Sequence, residues 1–251
     1  MLLVVALAGT LLCGGRPATA QVPYYVAPNG DDGNSGADWG APLATISAAV
    51  FKASASDTIF VSNGVYTVSN QIVVDKALSI FATGGVTTVY RAMSATTRLF
   101  VIADAGALLQ GFTLTNGYLG PVSARGGAVY MSNGIIRDCT LRLNSVSSSD
   151  AIGQGGALYM ENGYVSNCIF ANNRATVNQA AMGGAIFMAG GLLADCLVVS
   201  NTATGSGNSS GRGGGIYMTN GIVKGTVIQA NVINSQTSQG SIYLHAGAGV
   251  F

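Results

Sequence analysis

Charge is scarce in this chain: 8% of its 251 residues are Asp, Glu, Lys or Arg, and the formal net charge is +1. Nucleic acid and anionic membrane surfaces are thereby excluded as electrostatic partners. Disorder is excluded too, because 49% of the residues are hydrophobic. The Ala, Glu, Lys and Leu bias of long helices is also missing. The apolar run at residues 2–12 (LLVVALAGTLL) is too short to cross a bilayer. Glycine is what the chain has in plenty, 36 residues of it, set among Val, Ile, Thr and Asn. That mixture reads as β structure with many tight turns.

The apolar run leads to Ala18-Thr19-Ala20, a small-x-small cleavage signal before Gln21. Residues 1–20 read as a secretory signal peptide, so the protein is expected to be secreted or displayed at the cell surface. Cys13 lacks the small residues before it that a lipidation site needs. Three cysteines remain in the exported part, Cys139, Cys168 and Cys196, an odd count for an oxidising compartment.

A repeat explains them. GGAVYMSNG, GGALYMENG, GGAIFMAGG, GGGIYMTNG and QGSIYLHAG begin at Gly126, Gly155, Gly183, Gly213 and Gln239, which are 29, 28, 30 and 26 residues apart. Such a period marks one supersecondary unit stacked on copies of itself. Within each unit an apolar strand, an Asn-Gly or Gly-Gly turn and a second apolar strand keep their spacing, while polar stretches of variable length follow as surface loops. About 28 residues suits three short strands per coil, each pairing in parallel with its equivalent one coil away at about 4.8 Å. The expected fold is all-β, a parallel β-helix.

Stacking places like over like. Val129, Leu158, Ile186, Ile216 and Ile242 form one inward column, and Met131, Met160, Met188 and Met218, with Leu244, another. Strand alternation sends Tyr130, Tyr159, Phe187, Tyr217 and Tyr243 to the opposite, outward face, where they are the candidate binding row for sugar rings or a protein. Asn144, Asn173, Asn201 and Asn231 are expected inside a bend as an amide ladder. Cys139, Cys168 and Cys196 share one offset, with Thr226 at that place in the fourth repeat. In-register Cβ atoms about 4.8 Å apart exceed the roughly 3.5–4.5 Å of a disulfide, so free buried thiols are expected. No metal and no cofactor is expected, since the one histidine, His245, is two repeats past the last Cys.

Upstream, residues 101–111 match 129–139 at a shift of 28, and residues 57–66 and 71–85 alternate as strands. Residues 42–54 carry Ile46, Ala49, Val50 and Ala53 at helical spacing, an amphipathic cap for the solenoid end. Residues 21–56 are thus read as entry segment and capping helix, and 57–251 as the β-helix. The segment YYVAPNGDDGNSGADWGAPLATISAAV at 24–50, followed by DTIFVSNGVY, resembles the entry of secreted bacterial proteins with the right-handed parallel β-helix, or pectin-lyase-like, fold. The GGA-aliphatic lines and Phe170-Ala171-Asn172-Asn173 resemble the repeats of chlamydial polymorphic outer membrane proteins. The last residues align with residues 219–225, in mid-coil, so a longer protein is expected.

The first resemblance implies enzymes that work through several carboxylates on one wall. Here the best group is Asp138 and Asp195 at one offset, with Arg137, Arg142 and Lys224 nearby. Two coils separate the carboxylates, about 9.6 Å, too far to share one calcium. Asp31-Asp32-Gly33-Asn34-Ser35-Gly36 reads as a turn before the cap. The sequence thus favours a structural or adhesin-like binding module for a polysaccharide or cell-surface partner. The alternative is part of a polysaccharide lyase or hydrolase with its site on the outer wall or in further coils.

Overall fold

Strands separated by Gly, Asn and Asp can turn sharply after three residues, and each coil does so repeatedly. The computed structural model describes residues 21–120, 124–148, 152–205, 211–234, 240–244 and 249–250. Residues 1–20, read as a signal peptide, with Cys13 among them, and His245 lie outside these residues. In the coil that opens with Gly126 the strands are Val129–Met131, Ile135–Arg137, Thr140–Arg142 and Ser145–Ser148. Every strand of this coil that pairs with the next coil does so in parallel and in step, as Val129↔Leu158, Ile135↔Tyr164, Thr140↔Ile169 and Ser145↔Arg174 show. A parallel β-helix results, as its repeats require. This coil has four strands rather than three before its loop, because the stretch after the Asn-Gly turn bends at Asp138 and Cys139, and a short fifth strand, Gly153–Gln154, closes the loop.

That bend has a clear cause. Asp138, Asn167 and Asp195 hold φ of 56°, 51° and 53°, and Gly111 and Gly225 continue the column at 86° and 57°. Asp, Asn and Gly are the residues that enter the left-handed region at least cost. A second left-handed column precedes the asparagine ladder and is less well chosen: Leu143, Asn172, Ser200 and Ala230 have φ of 56°, 55°, 56° and 53°. Leu143 is also more than half exposed. Leu143→Asn should therefore stabilise the chain by about 1 kcal/mol, since Asn172 already fits that backbone. An unchanged or lowered urea midpoint would refute this account of the turn.

Inside, Val129, Leu158, Ile186 and Ile216 and the methionines Met131, Met160, Met188 and Met218 are buried together with Ile136, Val165 and Leu193 in one continuous core. The asparagine ladder is complete. Asn144 Nδ2 donates to Asn173 Oδ1 at 3.1 Å, Asn173 Nδ2 to Asn201 Oδ1 at 3.0 Å, and Asn201 Nδ2 to Asn231 Oδ1 at 2.9 Å. The three cysteines are free and buried. The loops are less open than their composition suggests. Their ends pair (Gly153–Gln154 with Ala181–Met182), and Val146, Ala175, Val177 and Ala181 form a small second core beneath them.

At the N-terminal end the helix Ile46–Lys52 buries Ile46, Ala49 and Val50. Thr45 caps it by accepting from Ala48 N, and Asp32 accepts from the backbone N–H groups of Ala44 and Thr45. Asp32 is therefore part of the cap, as a turn residue should be. All but the first of residues 57–66 fall in the strand Thr58–Val68, whose register with Ser79–Arg91 shifts between Ser62 and Gly64. One upstream expectation is corrected. The uniform shift of 28 is 29 at Phe100↔Val129 and 27 at Leu108↔Ile135.

Candidate functional site

The aromatic row is the first candidate. Alternation does turn it away from the main core, and the rings stack from coil to coil: Tyr130, Tyr159, Phe187, Tyr217 and Tyr243 have successive centroid separations of 5.2, 5.0, 5.1 and 4.9 Å. The expectation of an open row is corrected by burial, because Tyr159, Phe187 and Tyr217 are 7%, 5% and 3% exposed. Each ring's faces are occupied by its neighbours in the stack. Its flank is closed by Met182 and by the guanidinium of Arg125, 5.1 Å from the Tyr159 ring centroid. Arg98 and Arg212 lie over the end rings Tyr130 and Tyr243 at 5.2 and 5.5 Å, close enough for cation–π attraction. Burial of the Tyr130 hydroxyl and its 2.5 Å hydrogen bond to Glu161 Oε1 push its pKa up to about 12. The row is a second apolar spine.

The acidic candidates lie on the outer wall, at the left-handed bend. A groove of about 510 Å³ runs along it and brings Asp138, Asn167 and Asp195 together. The Asp138 oxygens are already engaged, one by Asn167 Nδ2 at 2.6 Å and the other by Gln110 Nε2 at 2.7 Å. Arg137 joins this chain indirectly, donating to Gln110 Oε1 at 2.9 Å. Arg142 and Lys224 are exposed and do not line the groove. Among the described residues no three of His, Cys, Asp and Glu gather as a metal ion would need.

A third feature is one the sequence reading missed. Beside the bend, the outer face of the long sheet carries two rung-spaced apolar columns, Ile135, Tyr164, Leu192 and Ile222 in one, Ile169, Leu197 and Val227 in the other. Tyr164, Ile169, Ile222 and Val227 are 37%, 42%, 45% and 54% exposed. The signal was present in the alternation: each precedes a buried residue (Val165, Phe170, Val223) or a half-buried one (Ile228), and so must point outward.

No protein-family model and no curated protein matches the chain. A solved structure described as rhamnogalacturonan lyase is similar, with a TM-score of 0.52 and 15% identity over 90% of this chain. The chain spans 62% of the length of that protein. At such identity the likeness is one of architecture, and together with the strand pairing it makes this chain a right-handed parallel β-helix of the pectin-lyase-like fold.

Proposed function

We propose that the chain is a non-catalytic length of exported or cell-surface β-solenoid, an adhesin-like module that holds a glycan or another surface molecule along its long sheet. The observation that carries this reading is the pair of partly exposed apolar columns on the outer wall, which run from Ile135 to Ile222 and from Ile169 to Val227. Contiguous apolar surface beside exposed cations is what an interaction face needs, and Tyr164 supplies a large ring with few torsions to freeze. The likeness of the GGA-aliphatic lines to a surface-protein repeat supports the same reading. Asp138 and Asp195 meanwhile occupy positions where the backbone itself asks for Asp, Asn or Gly. The test is retention of the full chain on a panel of immobilised polysaccharides and on whole cells. Tyr164→Ala with Ile222→Ala should weaken retention roughly tenfold or more with an unchanged thermal midpoint. Equal retention by parent and variant would refute the assignment.

The second reading, a polysaccharide lyase, is favoured by the name of the similar structure and by the carboxylate-lined groove. Proton abstraction by a lyase needs a free base and a cation to balance the developing charge. On the proposed reading, no unsaturated uronides are released from acidic polysaccharides with calcium present. Release that disappears in Asp138→Ala would establish the lyase instead.

A further inference from the structure

Cys139, Cys168 and Cys196 stand in register, one coil apart, because the strands that follow them pair as Thr140↔Ile169↔Leu197. Each thiol donates to the carbonyl two residues earlier, Arg137 at 3.2 Å, Ser166 at 3.1 Å and Ala194 at 3.1 Å. The backbone treats the three sulfurs differently. Cys168 Sγ receives the N–H of Cys139, and Cys196 Sγ receives the N–H of Cys168, each at 3.4 Å. Cys168 and Cys196 are therefore the pair whose sulfurs each have a backbone N–H to offset negative charge. Hydrogen bonding with Cys139 first, then with Cys196, together with burial, pushes the Cys168 pKa well up, whereas hydrogen bonding with Cys168 draws that of Cys196 down.

Parallel thiols at this spacing suit neither a disulfide nor a tetrahedral ion, which needs four convergent ligands. A linear two-coordinate ion is another matter. On the scale of a zinc–thiolate bond, about 2.3 Å and somewhat shorter for a two-coordinate ion, two metal–sulfur bonds span up to about 4.6 Å, just under the coil spacing of about 4.8 Å. Thiolates also select soft ions such as Cu(I) over the harder divalent ions. The geometry points to a binding site for one soft monovalent ion of the Cu(I) class, held linearly between Cys168 Sγ and Cys196 Sγ.

Binding breaks both S–H bonds, forms one metal–sulfur bond to each sulfur and sends two protons to solvent, with no change of oxidation state. The single remaining negative charge is shared by two sulfurs that each face an N–H group. The groove over the bend, lined by all three cysteines with Asp138 and Asp195 beside them, is the way in. Carboxylates at its mouth favour entry of a cation.

Thr226 shows how to remove a ligand without disturbing the coil. It accepts from Cys196 N at 3.3 Å and donates to Lys224 O at 3.2 Å, the same two bonds that the thiols make. The full chain would be titrated anaerobically with Cu(I) against a coloured chelator, with proton release followed in parallel. One equivalent of Cu(I), two protons released and an X-ray absorption spectrum with two sulfur neighbours are expected. Cys168→Thr and Cys196→Thr should each weaken uptake about 100-fold, while Cys139→Thr should leave it intact. Thermal midpoints report whether each variant folds, and the spectrum of the unsubstituted chain decides the coordination even where one does not. Failure of the native chain to compete for Cu(I), equal loss in Cys139→Thr, or a three-sulfur spectrum would overturn the proposal.

Discussion

Gly156→Ala is expected to abolish cooperative folding, with a loss on the order of 5 kcal/mol, enough to consume most of the stability of an ordinary domain. A methyl group there would lie 2.1 Å from the carbonyl oxygen of Gly184 in the next coil and 2.6 Å from that of Arg174 in its own. All of these neighbours are backbone atoms, so no side chain can swing aside. Moving the coils apart would break the ladders on either side, since Gly156 N donates to Gly183 O and Ala157 N to Ala185 O. The same closeness recurs at Gly127 and Gly184, where an added methyl group would lie 2.3 and 2.1 Å from the next coil's carbonyl oxygens. Here the chain returning from the variable loop passes over the start of the fourth strand, and only a residue without Cβ fits between. The preceding glycine is required for a different reason, because Gly155 has φ of 68°. Far-ultraviolet circular dichroism in urea measures the effect. A Gly156→Ala midpoint within about 1 kcal/mol of the parent would mean that the coils are not packed this closely.

The repeat made the architecture readable because stacking turns sequence into space directly. A residue at a fixed offset must lie over its equivalent, so the valine, methionine, asparagine and cysteine columns could be placed from numbering and strand alternation alone. The upstream alignment slipped where that regularity lapsed. Residues 103–107 separate Phe100–Ile102 from Leu108–Gln110, whereas residues 132–134 separate the corresponding strands one coil later. The turn is two residues longer, so a uniform shift straddles the true registers and misplaces Gly111, which occupies the bend column of Asp138 rather than the cysteine column. The aromatic row failed for a related reason. What covers it is Arg125, Gln154, Met182 and Arg212, which occupy one place in the coil without sharing a chemistry. A column of unlike residues leaves no pattern to read. The exposed outer columns were legible in principle but drew no notice, because an apolar residue beside a buried one looks like more core until the face is assigned.

The asparagine ladder carries the other large expected effect. Asn173→Leu should cost about 4 kcal/mol, and Asn231→Leu about half as much. The Asn173 side chain takes part in four hydrogen bonds: it accepts from the backbone N–H and the Nδ2 of Asn144 at 3.0 and 3.1 Å, and it donates to Leu141 O and Asn201 Oδ1 at 2.9 and 3.0 Å. Leucine has the same branching but is bulkier and opens no cavity, so lost polar pairing leads the cost and overpacking adds to it. It strands the buried N–H of Asn144 and the carbonyl of Leu141, and each stranded group costs roughly 1–3 kcal/mol. Asn231 makes the same kinds of contact to Asn201 and Val198 but is only partly buried, so water can replace what leucine removes. The ratio between the two sites is the informative quantity. If the ladder joins the coils, the interior substitution must exceed the outer one, and urea unfolding of Asn173→Leu should separate into two steps as the coils on either side lose their coupling. Equal losses below about 1 kcal/mol at both positions would mean that the backbone pairing alone holds the coils in register and that the amides merely fill the bend.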